Sequence, residues 1–208
     1  MTFNKIWESF RKTKPEPVDL ATMYEGRPFF AIQLVPSQKT INKIMPLLKK
    51  LKQNSGISID DTASFHCSLK FIGWSEHPYL AKCASDAIVT RAQTFIAQIQ
   101  NQPLKAQIGP INRFPNVIFL EVHNQQINEL HEQLRKVVPT RFEHEGEDFL
   151  PHCTIARFVS ETAATDDLEQ LREEPPINGV FDTIQLVKTE FINGIKRKTV
   201  LQRKTLAL

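Results

Sequence analysis

The sequence predicts an α+β protein with mainly antiparallel sheets. Strand-like runs at hairpin spacing alternate with long amphipathic helical patterns. Two short strand segments nearly repeat one another 86 positions apart. The 208-residue chain is 41% hydrophobic and 24% charged, an ordinary globular composition, and long enough for one domain or two small lobes sharing a core.

Residues 1–25 are expected to be an appendage ahead of a main domain over 26–208. A short helix over 3–12 is stopped by Pro15 and Pro17. Residues 28–35 (PFFAIQLV) are rich in β-formers and end at Pro36, so they predict a strand. Ser37 can cap the next helix, which carries Ile41, Ile44, Leu47, Leu48 and Leu51 at helical spacing and is expected to kink or break at Pro46. Residues 63–72 (ASFHCSLKFI) predict a strand ended by Gly73. A mostly helical stretch over 77–99 follows, with Leu80, Cys83, Ala87, Ile88 and Ala92 on one stripe.

Strands are predicted over 104–108 and 117–122, joined by the turn-rich GPINRFPN. Residues 125–138 predict an amphipathic helix facing inward through Ile127, Leu130, Leu134 and Val137. Residues 140–149 are charged and predict a loop. Residues 150–158 (LPHCTIARF) predict another strand, and 166–173 a short helix stopped by Pro175 and Pro176. Strands over 181–191 and 199–207 close the chain around a basic turn, NGIKRK.

The bulk properties exclude several classes. A formal charge of +3 is too small for a protein that coats duplex DNA, and suits one that meets a few phosphates or none. The three cysteines, Cys67, Cys83 and Cys153, do not make a disulfide framework and suggest a reducing compartment. The first 20 residues lack an apolar leader core, and no stretch approaches the roughly 20 apolar residues of a membrane span, so the expectation is a cytoplasmic protein without a membrane partner.

The repeat carries the chemistry. His66-Cys67-Ser68-Leu69-Lys70-Phe71 and His152-Cys153-Thr154-Ile155-Ala156-Arg157-Phe158 both read His-x-Ser/Thr-hydrophobic. Alternate strand residues share a face. Each strand therefore presents an imidazole and a hydroxyl together, with Phe65, Cys67, Leu69, Cys153 and Ile155 on the other side. A lone strand histidine is more often structural than catalytic. Two with matching neighbours make coincidence a poor account. Metal binding by adjacent His and Cys is disfavoured because they point to opposite faces. A Cys–His nucleophile fails on the same geometry. Two imidazoles titrating near neutral pH can act as base toward water and acid toward a departing oxygen, while hydroxyls hold phosphate oxygens.

These motifs, with RPFFAIQLV, FHCSLKFIG, FPNVIFLEV and FLPHCTIARF around them, resemble the 2H phosphoesterase superfamily and, within it, the RNA 2',3'-cyclic phosphodiesterases also called 2'-5' RNA ligases. The resemblance runs from about Arg27 to the C-terminus. It implies two pseudo-symmetric lobes, each an antiparallel sheet with outer helices, around a central V-shaped cleft. It implies metal-independent hydrolysis of a 2',3'-cyclic phosphate to a 2'-phosphate, with reverse 2'-5' ligation as a second activity, on RNA ends or small cyclic nucleotides and without a cofactor. A monomer is the separate expectation for the chain. His66 would be the proton donor to the 3' oxygen, His152 the base, and Ser68, Thr154 and Arg157 phosphate ligands. Strict alternation points Arg157 away from His152, so a bulge or strand end is required there.

Other residues are weighed more evenly. Lys70 falls on the His66 face by alternation and is either a phosphate ligand or a solvated lysine. Phe114 and Trp74 are base-stacking candidates, though surface packing is the favoured reading. Arg113 is a weak cleft candidate, and His77, His123, His131 and His144 have no motif around them. The run Lys196, Arg197, Lys198, Arg203 and Lys204 either guides RNA or is a solvated hairpin. Two rival functions keep the same residues: a non-catalytic nucleotide or RNA binding module, and hydrolysis of another small cyclic phosphate such as ADP-ribose cyclic phosphate.

Overall fold

The computed structural model describes residues 2–75, 86–138, 149–163 and 165–207. His77, Leu80, Cys83, His144 and residues 140–148 of the segment predicted as a loop lie outside them. The fold is α+β with antiparallel strand pairing throughout its sheet. Six helices and eight strands follow in chain order among the described residues: α1 (Phe3–Phe10), α2 (Leu20–Tyr24), β1 (Phe29–Pro36), α3 (Gln38–Leu51), β2 (Ile57–Ile59), β3 (Cys67–Trp74), α4 (Asp86–Gln98), β4 (Leu104–Arg113), β5 (Val117–His123), α5 (Gln125–Val137), β6 (His152–Phe158), α6 (Asp166–Arg172), β7 (Ile177–Ile192) and β8 (Ile195–Thr205).

The sheet order is β1-β3-β6-β5-β4-β7-β8, and β1 also pairs with β7. The long β7 pairs with β4 through Ile177–Phe181 and with β1 through Phe181–Thr189, so it serves both halves. The halves meet again where β2 pairs with β6, Ile57–Ile59 against Ala156–Phe158, and at the one β3–β6 pair, Cys67↔Cys153. Cys67, Leu69, Cys153 and Ile155 are at most 1% exposed and join Ile32, Leu34, Leu120 and Val122 in one core. The apolar faces of α3, α4 and α5 close that core, which leaves the opposite faces of β3 and β6 for the histidines.

Several boundaries differ from the sequence expectation for local reasons. α3 stays continuous through Pro46, with Ile44, Leu48 and Leu51 all buried. At the end of α5 the capping residue Val138 is buried, whereas Val137 is 39% exposed. β4 extends to Arg113 with a register shift between Ile108 and Ile111, so the predicted GPINRFPN turn shrinks to residues 114–116. The closing hairpin turns on Asn193-Gly194 alone, both at positive φ (52° and 76°), as a two-residue turn between twisted strands requires. The basic residues expected in that turn therefore lie in β8, with Lys196 opposite Phe191 and Lys198 opposite Thr189.

Residues 2–27 lie across both halves. Ile6 packs with Val117 and Phe119, and Phe3, Phe10, Phe114 and Leu150 join that cluster. Asn112 donates to the Phe3 carbonyl at 3.0 Å, and the Glu16 N–H donates to the Pro115 carbonyl at 2.8 Å. On the other half Tyr24 of α2 lies against Phe29, Trp74 and Phe191, and the Glu25 carboxylate accepts from the Asn193 and Gly194 amides. The short α2 was not evident in the sequence.

Candidate active site

A 3-10 turn over Thr62–Ser64, begun by the Asp61 side chain accepting the Ala63 N–H at 3.1 Å, delivers the chain to His66 just ahead of β3. His152 opens β6 after Pro151. Each Nδ1–H donates to the carbonyl two residues earlier, His66 to Ser64 and His152 to Leu150, both at 2.7 Å. The same local device thus recurs in both motifs. It fixes the tautomer and turns each Nε2 away from its own backbone.

The Cys67↔Cys153 pair sets the geometry. Continued one residue either way, an antiparallel register brings His66 abreast of Thr154 and Ser68 abreast of His152. With the cysteines in the core, these four side chains form a square on the opposite face. Diagonal neighbours in such a square are about 7–8 Å apart and their Cβ atoms somewhat nearer, a span that one phosphate can bridge. Ser68 is exposed, and His66, His152 and Thr154 are half-buried.

Two bulges decide which cations join the square. Between β5 and β6 the register steps from Ile118↔Ala156 to Phe119↔Thr154, leaving Ile155 as the extra residue. Arg157, opposite Val117, is thereby returned to the face of Thr154 and His152. Asp60 holds it in a two-pronged ion pair, Nε to Oδ1 and Nη2 to Oδ2, both 3.2 Å. Between β1 and β3 the register steps from Ile32↔Lys70 to Gln33↔Ser68, and Leu69 is extra. Here the bulge has the opposite result. Lys70 takes the face of the core residue Ile32 and is 3% exposed, so alternation misplaced it.

Gln33, beside Ser68, accepts from Lys198 Nζ at 3.2 Å, which places an ammonium group at the edge of the square. Gln33 carries no motif signal in the sequence, and Lys198 belongs to the basic run read as either an RNA guide or a solvated hairpin. Around His152 the support is aromatic: Phe119 at 4.8 Å and Phe114 at 5.9 Å between ring centroids. Phe114 also touches Phe10 of α1, and Trp74 is packed among Tyr24, Phe29 and Phe71. Arg113 is on the other face, 1% exposed, with its guanidinium over the Phe158 ring at 4.5 Å; burial brings its pKa down to about 10. His131 is structural: its Nδ1 pairs with the Leu69 carbonyl at 2.6 Å and its ring stacks on Phe149. His123 pairs with Glu121, which also receives Asn112 and Arg172 beneath α1.

Electrostatics keep both imidazoles neutral at pH 7 in the ligand-free protein. His66 is pushed down to about 3, first by burial and then by the charge of Lys198, with Lys196 and His152 adding to the effect. His152 is lowered by burial. Lys198 is itself brought down to about 8 by burial and by Lys196. An anion entering the square would cancel the lysine's effect on His66 and favour the imidazolium. Among the described residues no cluster of three or more His, Cys, Asp or Glu is arranged to hold a metal ion, and no helix is long and apolar enough to cross a membrane.

The sequence matches the model of the 2'-5' RNA ligase superfamily over residues 46–191. No curated protein matches it. Among solved structures, TT0787 of Thermus thermophilus is 18% identical, with a TM-score of 0.61 over 86% of this chain and 97% of its own. Escherichia coli LigT in complex with 3'-AMP is 15% identical, with a TM-score of 0.62 over 87% and 99%. A further structure titled as a phosphoesterase is 18% identical, with a TM-score of 0.61 over 88% and 98%.

Proposed function

The chain belongs to the 2'-5' RNA ligase superfamily, and we propose that it hydrolyses RNA or nucleoside 2',3'-cyclic phosphates to 2'-phosphates without a metal. The observation that carries this reading is the square of two imidazoles and two hydroxyls, with both Nδ1 atoms tied back and both Nε2 atoms left for chemistry. The crystallised complexes of LigT with 3'-AMP and with phosphate support a phosphorylated nucleoside as ligand.

In the proposed reaction the cyclic phosphate sits over the square. Ser68, Thr154 and Arg157 hold its non-bridging oxygens and stabilise the charge that builds on them. His152 takes a proton from water as the water oxygen bonds to phosphorus. The P–O3' bond breaks, and His66 gives its proton to the 3' oxygen. The 2'-phosphate remains, His152 is left protonated and His66 neutral, and solvent exchange resets them. With a 5'-hydroxyl of a second RNA in place of water, the same proton transfers form a 2'-5' linkage. Water is abundant and needs no second RNA end, so hydrolysis is the main direction.

The test is incubation with nucleoside 2',3'-cyclic phosphates and cyclic-phosphate-ended RNA in EDTA, with the product phosphate located by NMR. Turnover to a 2'-phosphate is expected. A 3'-phosphate product, or turnover lost in EDTA and restored by a divalent cation, would contradict the reading.

Lys198→Gln separates the two proton-transfer roles. Removing its charge raises the His66 pKa. If His66 is the acid, the alkaline limb of kcat/KM against pH moves upward, because the protonated form persists to higher pH. An upward move of the acidic limb instead would make His66 the base.

A further inference from the structure

Beside the square lies a cavity of about 450 Å3 lined chiefly by Asp60, Asp61, Ser64, Arg157, Lys196 and Lys198. It adjoins His66 directly, since the Ser64 carbonyl on its wall is the one His66 donates to. Three cations meet two carboxylates there. Asp60 is committed to Arg157, and one Asp61 oxygen accepts the Ala63 amide. Lys196 and Lys198 alternate onto one face of β8 two residues apart, and Lys198 reaches a neutral amide oxygen, Gln33, rather than a carboxylate. The charge of Lys196 weakens the protonated form of Lys198 and Asp60 opposes this, so a further anion between the lysines is favoured.

The remaining lining, Ala63, Phe191 and Leu20, is apolar, and the last two are pinned. Phe191 stacks on Tyr24 at 5.8 Å, and Leu20 begins α2, whose N–H groups at Ala21 and Thr22 are capped by Asp19. The Asn193-Gly194 tip of the hairpin, whose β8 strand carries the lysines, is tied to Glu25. The cavity is thus built by residues 60–64 between β2 and β3, by β6, by the β7–β8 hairpin and by the N-terminal segment together.

Resting on the function proposed above, we propose that this cavity is a second phosphate subsite: Lys196 and Lys198, with Arg157 at the boundary, hold the 5'-phosphate of the nucleotide whose cyclic phosphate reacts. That group is a monoester in a mononucleotide and the linking diester in an RNA end. The site would then favour substrates with two phosphates flanking one ribose over a bare nucleoside cyclic phosphate.

The test uses calorimetric binding of stable product-like ligands to the full chain at fixed ionic strength: a nucleoside 2'-phosphate, the same nucleoside 2',5'-bisphosphate, and a dinucleotide ending in a 2'-phosphate. In the wild type the bisphosphate should bind about tenfold tighter than the monophosphate, the size expected of one charge-assisted contact. Lys196→Gln should cut that advantage to about twofold or less, and Lys196→Glu should reverse it, while Lys49→Gln, at the exposed end of α3, should keep it. A dinucleotide that shares the advantage identifies the diester of an RNA end as the natural occupant; one that does not identifies the monoester. No advantage in the wild type, or one that survives Lys196→Gln, overturns the subsite. Hydrolysis of cyclic phosphates without any 5'-phosphate effect would remove the subsite alone. A 5'-phosphate effect without hydrolysis would remove the catalytic reading alone.

Discussion

His66→Ala and His152→Ala should each lower kcat on a nucleoside 2',3'-cyclic phosphate by about a thousandfold or more. General acid or base catalysis contributes roughly 10²–10⁴ per group, and here neither transfer has a second candidate group in the square. The double variant should be little slower than either single one, because the two transfers belong to one displacement and losing either removes most of it. Thermal melts should show folded protein. Both rings are half-buried, and among the described residues each bonds only its own backbone; His152→Ala also gives up the ring contact with Phe119 and should melt somewhat lower than His66→Ala while remaining folded. Steady-state kinetics with all three variants measures this. A single variant retaining a tenth of wild-type activity would sink its assigned role.

Arg157→Met should cost about 10²–10³ in kcat, the range seen when one donor to a developing oxyanion is removed. Its guanidinium is aimed by the two-pronged pair with Asp60 and brought to the histidine face by the bulge at Ile155. Arg157→Lys should recover only a small part, since a point charge cannot reproduce a planar fork held on a carboxylate. Asp60→Asn should cost less than either, about tenfold, because it loosens the arginine without deleting it. Kinetics of the three variants together is decisive. Equal losses in Arg157→Met and Asp60→Asn would mean that the ion pair only supports the fold, and wild-type kcat in Arg157→Lys would reduce the residue to a diffuse charge.

The features that carried the reading were local and periodic. His66/Ser68 and His152/Thr154 declare their shared face through alternation, and the cysteines and aliphatic residues between them declare the core. The misplaced or missed residues depend on events that alternation does not encode. A β-bulge changes the face of everything beyond it. Identical steps after Leu69 and Ile155 bury Lys70 yet expose Arg157 to the site, and only the requirement that Arg157 serve the phosphate hinted at one of them. Gln33, Lys198 and Asp60 enter through pairings across 35 to 165 residues, which short motifs do not report. The Asn193-Gly194 dipeptide was a readable hairpin signal. A turn confined to that dipeptide puts Lys196 and Lys198 in a strand. α2 is too short, at five residues, for helical periodicity to register.

The central claim is that two imidazoles remote in sequence serve one phosphate. ¹⁵N-edited NMR of the histidine side chains, titrated with a nucleoside 2'-phosphate, tests it most directly. The Nε2 resonances of His66 and His152 should move together along one saturation curve, His66 toward the imidazolium, while the structural His131 stays still. Perturbation of only one of the pair, or of neither at a saturating ligand concentration, would contradict the account.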